Sequence, residues 1–258
     1  MTFDRYVAIG DSTSEGLDDP DGQGGYRGWA DRLAERIARS QAEPLLYANL
    51  AVRGRTSRRI REEQLDAAVA MRPDVATVSG GTNDFLRPKF DPRAVALELE
   101  LMQRALIDVG AIVMTFTLPD MRRVMPLTRF FIDRVFALND ELRAVCARTG
   151  ARLLDLAAYE VAADPRFWSD DRLHANSLGH ERIAAALAEL LGIPTDPLWS
   201  TPLPPPPPPG PLDVLRAEWA WTRRHLAPWL WRHARGKSSG DGRGAKRPEL
   251  TRVPHISG

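Results

Sequence analysis

Serine, histidine, aspartate and asparagine recur in this 258-residue sequence where short apolar runs give way to glycine-rich turns. Gly10-Asp11-Ser12 follows an apolar run at 6–9, segment 49–56 with Gly54 inside it carries the end of a second run, and Gly80-Gly81-Thr82-Asn83-Asp84 follows a third. Asp171 precedes His174 by three residues, so one turn can bring a carboxylate to an imidazole nitrogen. A hydroxyl presented at a strand end becomes a nucleophile when such an imidazole takes its proton. The backbone N–H groups of Ser12 and Gly54 and the side-chain amide of Asn83 are candidate donors to an oxyanion. Each feature alone has a plainer use. Ser12 can cap a helix, Gly54 and Asn83-Asp84 can simply turn the chain, and Asp171 and His174 can be solvated loop residues. Their joint order along the chain is what points to chemistry.

The elements that must hold these residues alternate. Apolar runs at 6–9, 45–52, 75–78, 111–116 and 152–156 read as strands, and helical spacing fills 29–37, 60–71, 94–109, 130–147 and 178–191. Short strands that are apolar throughout and separated by helices are buried on both faces, as in a parallel sheet. Right-handed crossovers then give a three-layer α/β/α sandwich with five parallel strands. Ligands in such sheets bind beyond the carboxyl ends of the strands, where Ser12, Gly54 and Asn83 stand.

These blocks resemble the SGNH hydrolases, also called the GDSL esterase/lipase family. Gly10-Asp11-Ser12 matches the first block, with Thr13 in place of the family's leucine; Gly54 matches the second, Gly81-x-Asn83-Asp84 the third and Asp171-x-x-His174 the last. The likeness spans roughly residues 5–190. It implies a flavodoxin-like sheet of order 2-1-3-4-5 and a metal-independent, cofactor-free carboxylic ester hydrolase working through an acyl-enzyme. Ser12 would be the nucleophile, His174 the general base and then acid, and Asp171 the residue that orients His174. The N–H groups of Ser12 and Gly54 and the amide of Asn83 would form the oxyanion hole, with Asp11 and Asp84 holding the loops. An acyltransferase using the same triad, and a non-catalytic adaptor whose tail binds a membrane or partner, are the alternatives.

Rival motifs fail. A Gly-x-Ser-x-Gly elbow would need glycine where Ser14 stands. Gly236-Lys237-Ser238 resembles the end of a phosphate loop, but Trp231 occupies the place of its first glycine. The glycine-rich stretch 22–28 has Arg27 where a dinucleotide fingerprint needs glycine. Five histidines without an acidic cluster suggest no metal site. His180 reads as a packing or capping residue, Cys146 as a core thiol, and Arg55 as a possible contact for an anionic substrate.

Composition divides the chain. The 35 Lys+Arg and 34 Asp+Glu give a net charge of +1, which argues against a nucleic-acid-coating protein, and one cysteine excludes an intramolecular disulfide framework. No apolar run of membrane-spanning length and no secretory signal is read, so a cytoplasmic protein is expected. Residues 213–258 nevertheless carry +6 against −5 for 1–212, and 8 of the 21 prolines fall between 202 and 211. The expected organisation is a catalytic domain at 1–195, a proline-rich linker at 196–211, a basic Trp-rich amphipathic helix at 212–235, and a flexible basic tail at 236–258. Leu212, Leu215, Trp219, Leu226 and Leu230 share one helical face. That face suits docking on the acidic domain or peripheral contact with an anionic membrane. The partner otherwise expected is a small-molecule ester, not nucleic acid. No candidate catalytic residue lies beyond His174, so the tail is assigned no part in the chemistry.

Overall fold

The computed structural model describes residues 2–207, 210–228, 231 and 239–254. In chain order the regular elements are β1 (Arg5–Ile9), α1 (Ser12–Glu15), α2 (Gly28–Arg39), β2 (Leu46–Asn49), α3 (Ser57–Ala70), β3 (Val75–Val78), α4 (Thr82–Phe85) and α5 (Pro92–Asp108). They continue as β4 (Ile112–Phe116), α6 (Ile132–Thr149), β5 (Arg152–Leu154), α7 (Ser177–Leu190), α8 (Pro211–Trp221) and β6 (Arg247–Arg252). The five expected strands form a parallel sheet, β5-β4-β3-β1-β2.

Successive strand residues point to opposite faces, and here each face has its own core. Tyr6 and Ala8 of β1 and Tyr47 of β2 pack with Trp29, Leu33 and Ile37 of α2 and Leu187 of α7. Val7 and Ile9 face the other way, against Ile60 of α3, Leu99 and Met102 of α5, and Leu138 of α6. Each fully buried aliphatic side chain contributes about 1.5–3 kcal/mol. The three layers follow from the period-2 pattern of strands that are apolar on both sides. Thr77, the polar residue inside β3, is accommodated by a 2.9 Å hydrogen bond to the Tyr6 hydroxyl.

The sheet corrects two expectations. It has six strands, and the sixth, β6, comes from the segment expected to be a flexible tail; it pairs antiparallel with β2, Tyr47 opposite Thr251. β6 is charged and contains Pro248, so no apolar run announces it. It covers the open edge of β2, and proline is tolerated on such an outer strand. Lys246 Nζ secures it with a 3.0 Å ion pair to Asp31 and a 2.7 Å bond to the Arg27 carbonyl, and Val253 is buried beyond it. The helix expected at 212–235 is α8 followed by a π turn at Thr222–Leu226; 229–230 and 232–235 lie outside the described residues. Leu212, Leu215 and Trp219, the face expected to be its contact surface, are exposed, whereas Trp221 is buried.

The strand ends are nearly level. Ala8 pairs with Asn49 and Ile9 with Val78, so Gly10 and Ser79 leave the sheet side by side and Leu50 one residue before them. From β1 the chain crosses to β2 on one side and then to β3 on the other. This reversal opens the crevice in which such folds bind ligands.

Candidate active site

Ser12 opens α1 immediately beyond β1. Asp11 caps that helix: its Oδ1 accepts from the Thr13 backbone N–H and hydroxyl, both at 3.0 Å. Burial pushes the Asp11 carboxyl above its usual range despite those hydrogen bonds and the nearby His174. Gly10 has room for no side chain, since a Cβ there would lie 2.4 Å from Ser14 Oγ and 2.9 Å from Ser79 Oγ. Ser14, the other serine in this turn, is buried and hydrogen-bonded to Ser79 Oγ at 2.8 Å. Ser12 Oγ instead lies 2.8 Å from His174 Nε2.

His174 Nδ1 lies 2.6 Å from Asp171 Oδ2. With the Nδ1 proton donated to that carboxylate, Nε2 is left to accept the Ser12 hydroxyl proton. Asp171 Oδ1 accepts from the backbone N–H groups of Leu173 and His174 at 2.8 and 3.0 Å, and from Ser169 Oγ at 2.6 Å. Burial alone would raise the Asp171 pKa, but the hydrogen bond and charge of His174 hold the carboxyl well below the usual range. Burial alone would lower the His174 pKa; the hydrogen bond and charge of Asp171, with Asp18 and Asp11 behind it, raise it.

The other two candidates lie on the neighbouring loops. Gly54 adopts φ +76° in the turn after β2, a left-handed conformation that glycine takes without strain. That loop is fastened to α1 by Arg53, whose backbone N–H and Nε donate to Glu15 at 2.8 and 3.0 Å, and by Asn49 Nδ2, which donates to the Ser14 carbonyl at 2.8 Å. Asn83, in α4, donates its side-chain amide to Asp11 Oδ2 at 3.0 Å and to the Arg55 carbonyl at 3.1 Å. It thus ties together the residues adjoining Ser12 and Gly54. Asp84 fixes the start of α3 by accepting from the Ser57 N–H and hydroxyl. Among the described residues, the N–H groups of Ser12 and Gly54 have no protein acceptor.

The fold therefore brings Ser12, His174 and Asp171 into one hydrogen-bonded row and joins Asn83 to the two loops beside it. Sequence reading missed Asp18 and Ser169. Asp18 adopts φ +66° and lies 3.9 Å from His174 Nδ1; its Oδ2 is 2.6 Å from Ser169 Oγ, whose one proton Asp18 and Asp171 share. Its distance of 156 residues from His174 leaves no local signal. Asp18, Asp171 and His174 are the only group among the described residues compact enough to hold a cation; within it Asp171 and His174 are hydrogen-bonded to each other directly.

Three residues singled out earlier have structural uses. His180 is buried, with Nδ1 accepting from the Trp29 N–H and Nε2 3.0 Å from the Leu17 carbonyl; burial lowers its pKa to about 4. Cys146 is a buried thiol that burial pushes up to about 11. Arg55 directs its guanidinium to Glu63 at 2.6 Å. Thr13 and Leu173, the chain neighbours of Ser12 and His174, line a mostly apolar cleft together with Phe85, Phe116 and Met125.

A hydroxyl–imidazole–carboxylate row next to an apolar cleft is equipment for acyl transfer. The profile of the GDSL-like lipase/acylhydrolase family matches residues 8–182. The chain belongs to that family and is a carboxylic ester hydrolase of the SGNH/GDSL type. Similar solved structures include TesA (21% identity, TM-score 0.61, covering 72% of this chain and 97% of that one). Another is a lipase/acylhydrolase from Enterococcus faecalis (21%, 0.60, 75% and 98%). A third is a catalytic mutant of Axe2, an acetylxylan esterase from Geobacillus stearothermophilus (17%, 0.61, 76% and 98%). At these identities the likeness is one of fold. A search of curated proteins found no match.

Proposed function

We propose that Ser12 is the nucleophile of a two-step ester hydrolysis assisted by His174 and Asp171. The observation that carries this reading is the unbroken row from Ser12 Oγ through the imidazole to Asp171, at 2.8 and 2.6 Å. As Ser12 Oγ attacks the ester carbonyl carbon, its proton passes to His174 Nε2, and Asp171 stabilises the imidazolium. The carbonyl oxygen becomes an oxyanion, received by the N–H groups of Ser12 and Gly54. Asn83 joins them by turning one amide hydrogen from the Arg55 carbonyl or Asp11 toward the oxyanion. The carbonyl re-forms, the alkoxide leaves with the His174 proton, and an acyl-Ser12 remains. Water then gives its proton to His174 and attacks the acyl carbon; the carboxylic acid departs and Ser12 recovers its proton.

The apolar lining of the cleft supports an ester with a hydrocarbon acyl part as substrate, since each buried methylene contributes about 0.8 kcal/mol. A panel of aryl esters of increasing acyl length tests both points. The expected result is a burst of one phenol per enzyme and a kcat/KM that rises with chain length before levelling. Absence of any ester turnover, or turnover retained by Ser12→Ala, would contradict the mechanism. A kcat/KM that falls steadily from the acetyl ester would contradict the assignment of the cleft.

A further inference from the structure

Helix α8 lies well beyond residue 182, where the family match ends, yet it touches the loop that carries Asp171 and His174. Trp221 is buried, and its Nε1–H donates to the main-chain carbonyl of Asp171 at 3.1 Å. The next residue, Arg172, adopts φ +62°, a conformation uncommon for a side chain of this size. Its guanidinium lies 4.9 Å from the Trp221 ring centre and pairs with Glu218 at 2.8 Å. Arg172 also lines the apolar cleft. One turn of α8 thus grips Asp171 and Arg172, two consecutive residues of the turn closed by the 2.8 Å bond from the Ser169 N–H to the His174 carbonyl, and the first of them supplies the carboxylate for His174.

The approach to α8 is fastened as well. Arg182 Nη1 donates to the Trp199 and Thr201 carbonyls at 3.0 and 2.8 Å, and Arg166 Nη1 to the Pro204 carbonyl at 2.8 Å. These bonds lay the start of the proline-rich segment across α7 and the turn at Pro165–Phe167, toward the same loop. A stiff segment so anchored has little freedom to lose when α8 docks.

We propose that α8 is a positioning element of the active site: Trp221 directly, and Glu218 through Arg172, hold the Asp171 turn in the geometry that orients His174 toward Ser12. This rests on the reading of Ser12, His174 and Asp171 as the catalytic row. Trp221 touches no reacting atom; it acts through the main chain of Asp171. A small displacement of a catalytic group can cost about 100-fold in rate, whereas a helix that merely packs would alter stability alone.

The test uses the full chain with Trp221→Ala, Trp221→Phe and Glu218→Gln, the last two retaining most of the packing. Measurements are kcat and KM for an aryl ester across pH, Ser12 labelling by a fluorophosphonate, and the thermal melt of each variant. Trp221→Ala should lower kcat about 10–100-fold with KM changed less than about 3-fold. Trp221→Phe, lacking only the N–H donor and some ring area, should lower kcat about 3–10-fold. Both should move the midpoint of the pH profile downward as the Asp171–His174 contact loosens, and Glu218→Gln should have the smallest effect. If Trp221→Ala does not fold, Trp221→Phe and Glu218→Gln decide. Folded variants with the kcat and pH midpoint of the parent, whose Ser12 is labelled, would overturn the proposal while leaving the catalytic row intact. A parent protein not labelled at Ser12 would remove the row, and this proposal with it.

Discussion

The loops bearing Ser12, Gly54 and Asn83 leave adjacent central strands at nearly one level, while the loop bearing Asp171 and His174 is reached only after three single-turn 3-10 helices beyond β5. The first set is fixed by sheet register and by side chains that cross between loops: Asn83 to Asp11 and Arg55, Asp84 to Ser57, Arg53 to Glu15. The second is fixed by bonds inside the turn and by contacts from far along the chain, Asp18 through Ser169 on one side and Trp221 on the other. The proposed nucleophile and oxyanion donors are therefore held by the sheet, whereas the proposed base depends on what is packed around its loop.

Substitutions can break this contrast. Ser12→Ala or His174→Ala should reduce kcat by about 10⁴-fold or more while the fold persists, measured as ester turnover against the thermal melt. Asn83→Ala should cost about 10²–10³-fold in kcat. Unlike Ser12→Ala, it should also lower Tm, because it leaves a buried Asp11 oxygen without its donor. A normal melt for Asn83→Ala would show that the sheet-end loops do not depend on that crossing.

The pH dependence sharpens the contrast on the other side. Because the His174 pKa is raised, the neutral base should accumulate only above about pH 6.5, and kcat/KM should climb with a midpoint higher than that. Stability runs the opposite way. His174 contributes fully below its unfolded pKa of about 6.5 and loses that contribution as pH rises through its folded value. Asp171, with a lowered pKa, contributes above about pH 3.9 and loses it as pH falls through its own folded value. The Tm difference between the parent and His174→Gln should therefore be largest between about pH 4 and 6.5. A difference that grew above pH 8 would contradict the assigned direction.

The smallest effect on catalysis is expected at β6. Val253→Ala removes buried apolar surface next to the outer strand and should destabilise by about 1–2 kcal/mol, leaving kcat within about 2-fold. Together with the Trp221 variants it separates two parts of one C-terminal segment, one acting on the chemistry and one on stability.

Much of this was legible in the sequence because it was local. Five apolar runs gave five strands, and polar residues at their ends marked the crevice. The short helices α1 and α4 escaped notice because four residues carry no helical period. β6 escaped because a charged strand lying on an edge has no apolar alternation to display. Trp221 is one of four clustered tryptophans, yet helical spacing points to the leucine stripe as the contact face. Helical spacing shows which residues share a face, not which face meets the protein. Asp18 and Ser169 had no signal at all, since their role arises only where the turn after α1 meets the loop before α7.

Peptide mapping after reaction with a fluorophosphonate shows directly whether Ser12, activated by His174, is the nucleophile. We expect one adduct per chain, on Ser12, formed faster as pH rises through the His174 pKa and abolished by Ser12→Ala. An adduct on Ser14, the buried hydroxyl two residues away, or none on a protein that still hydrolyses esters, would contradict it.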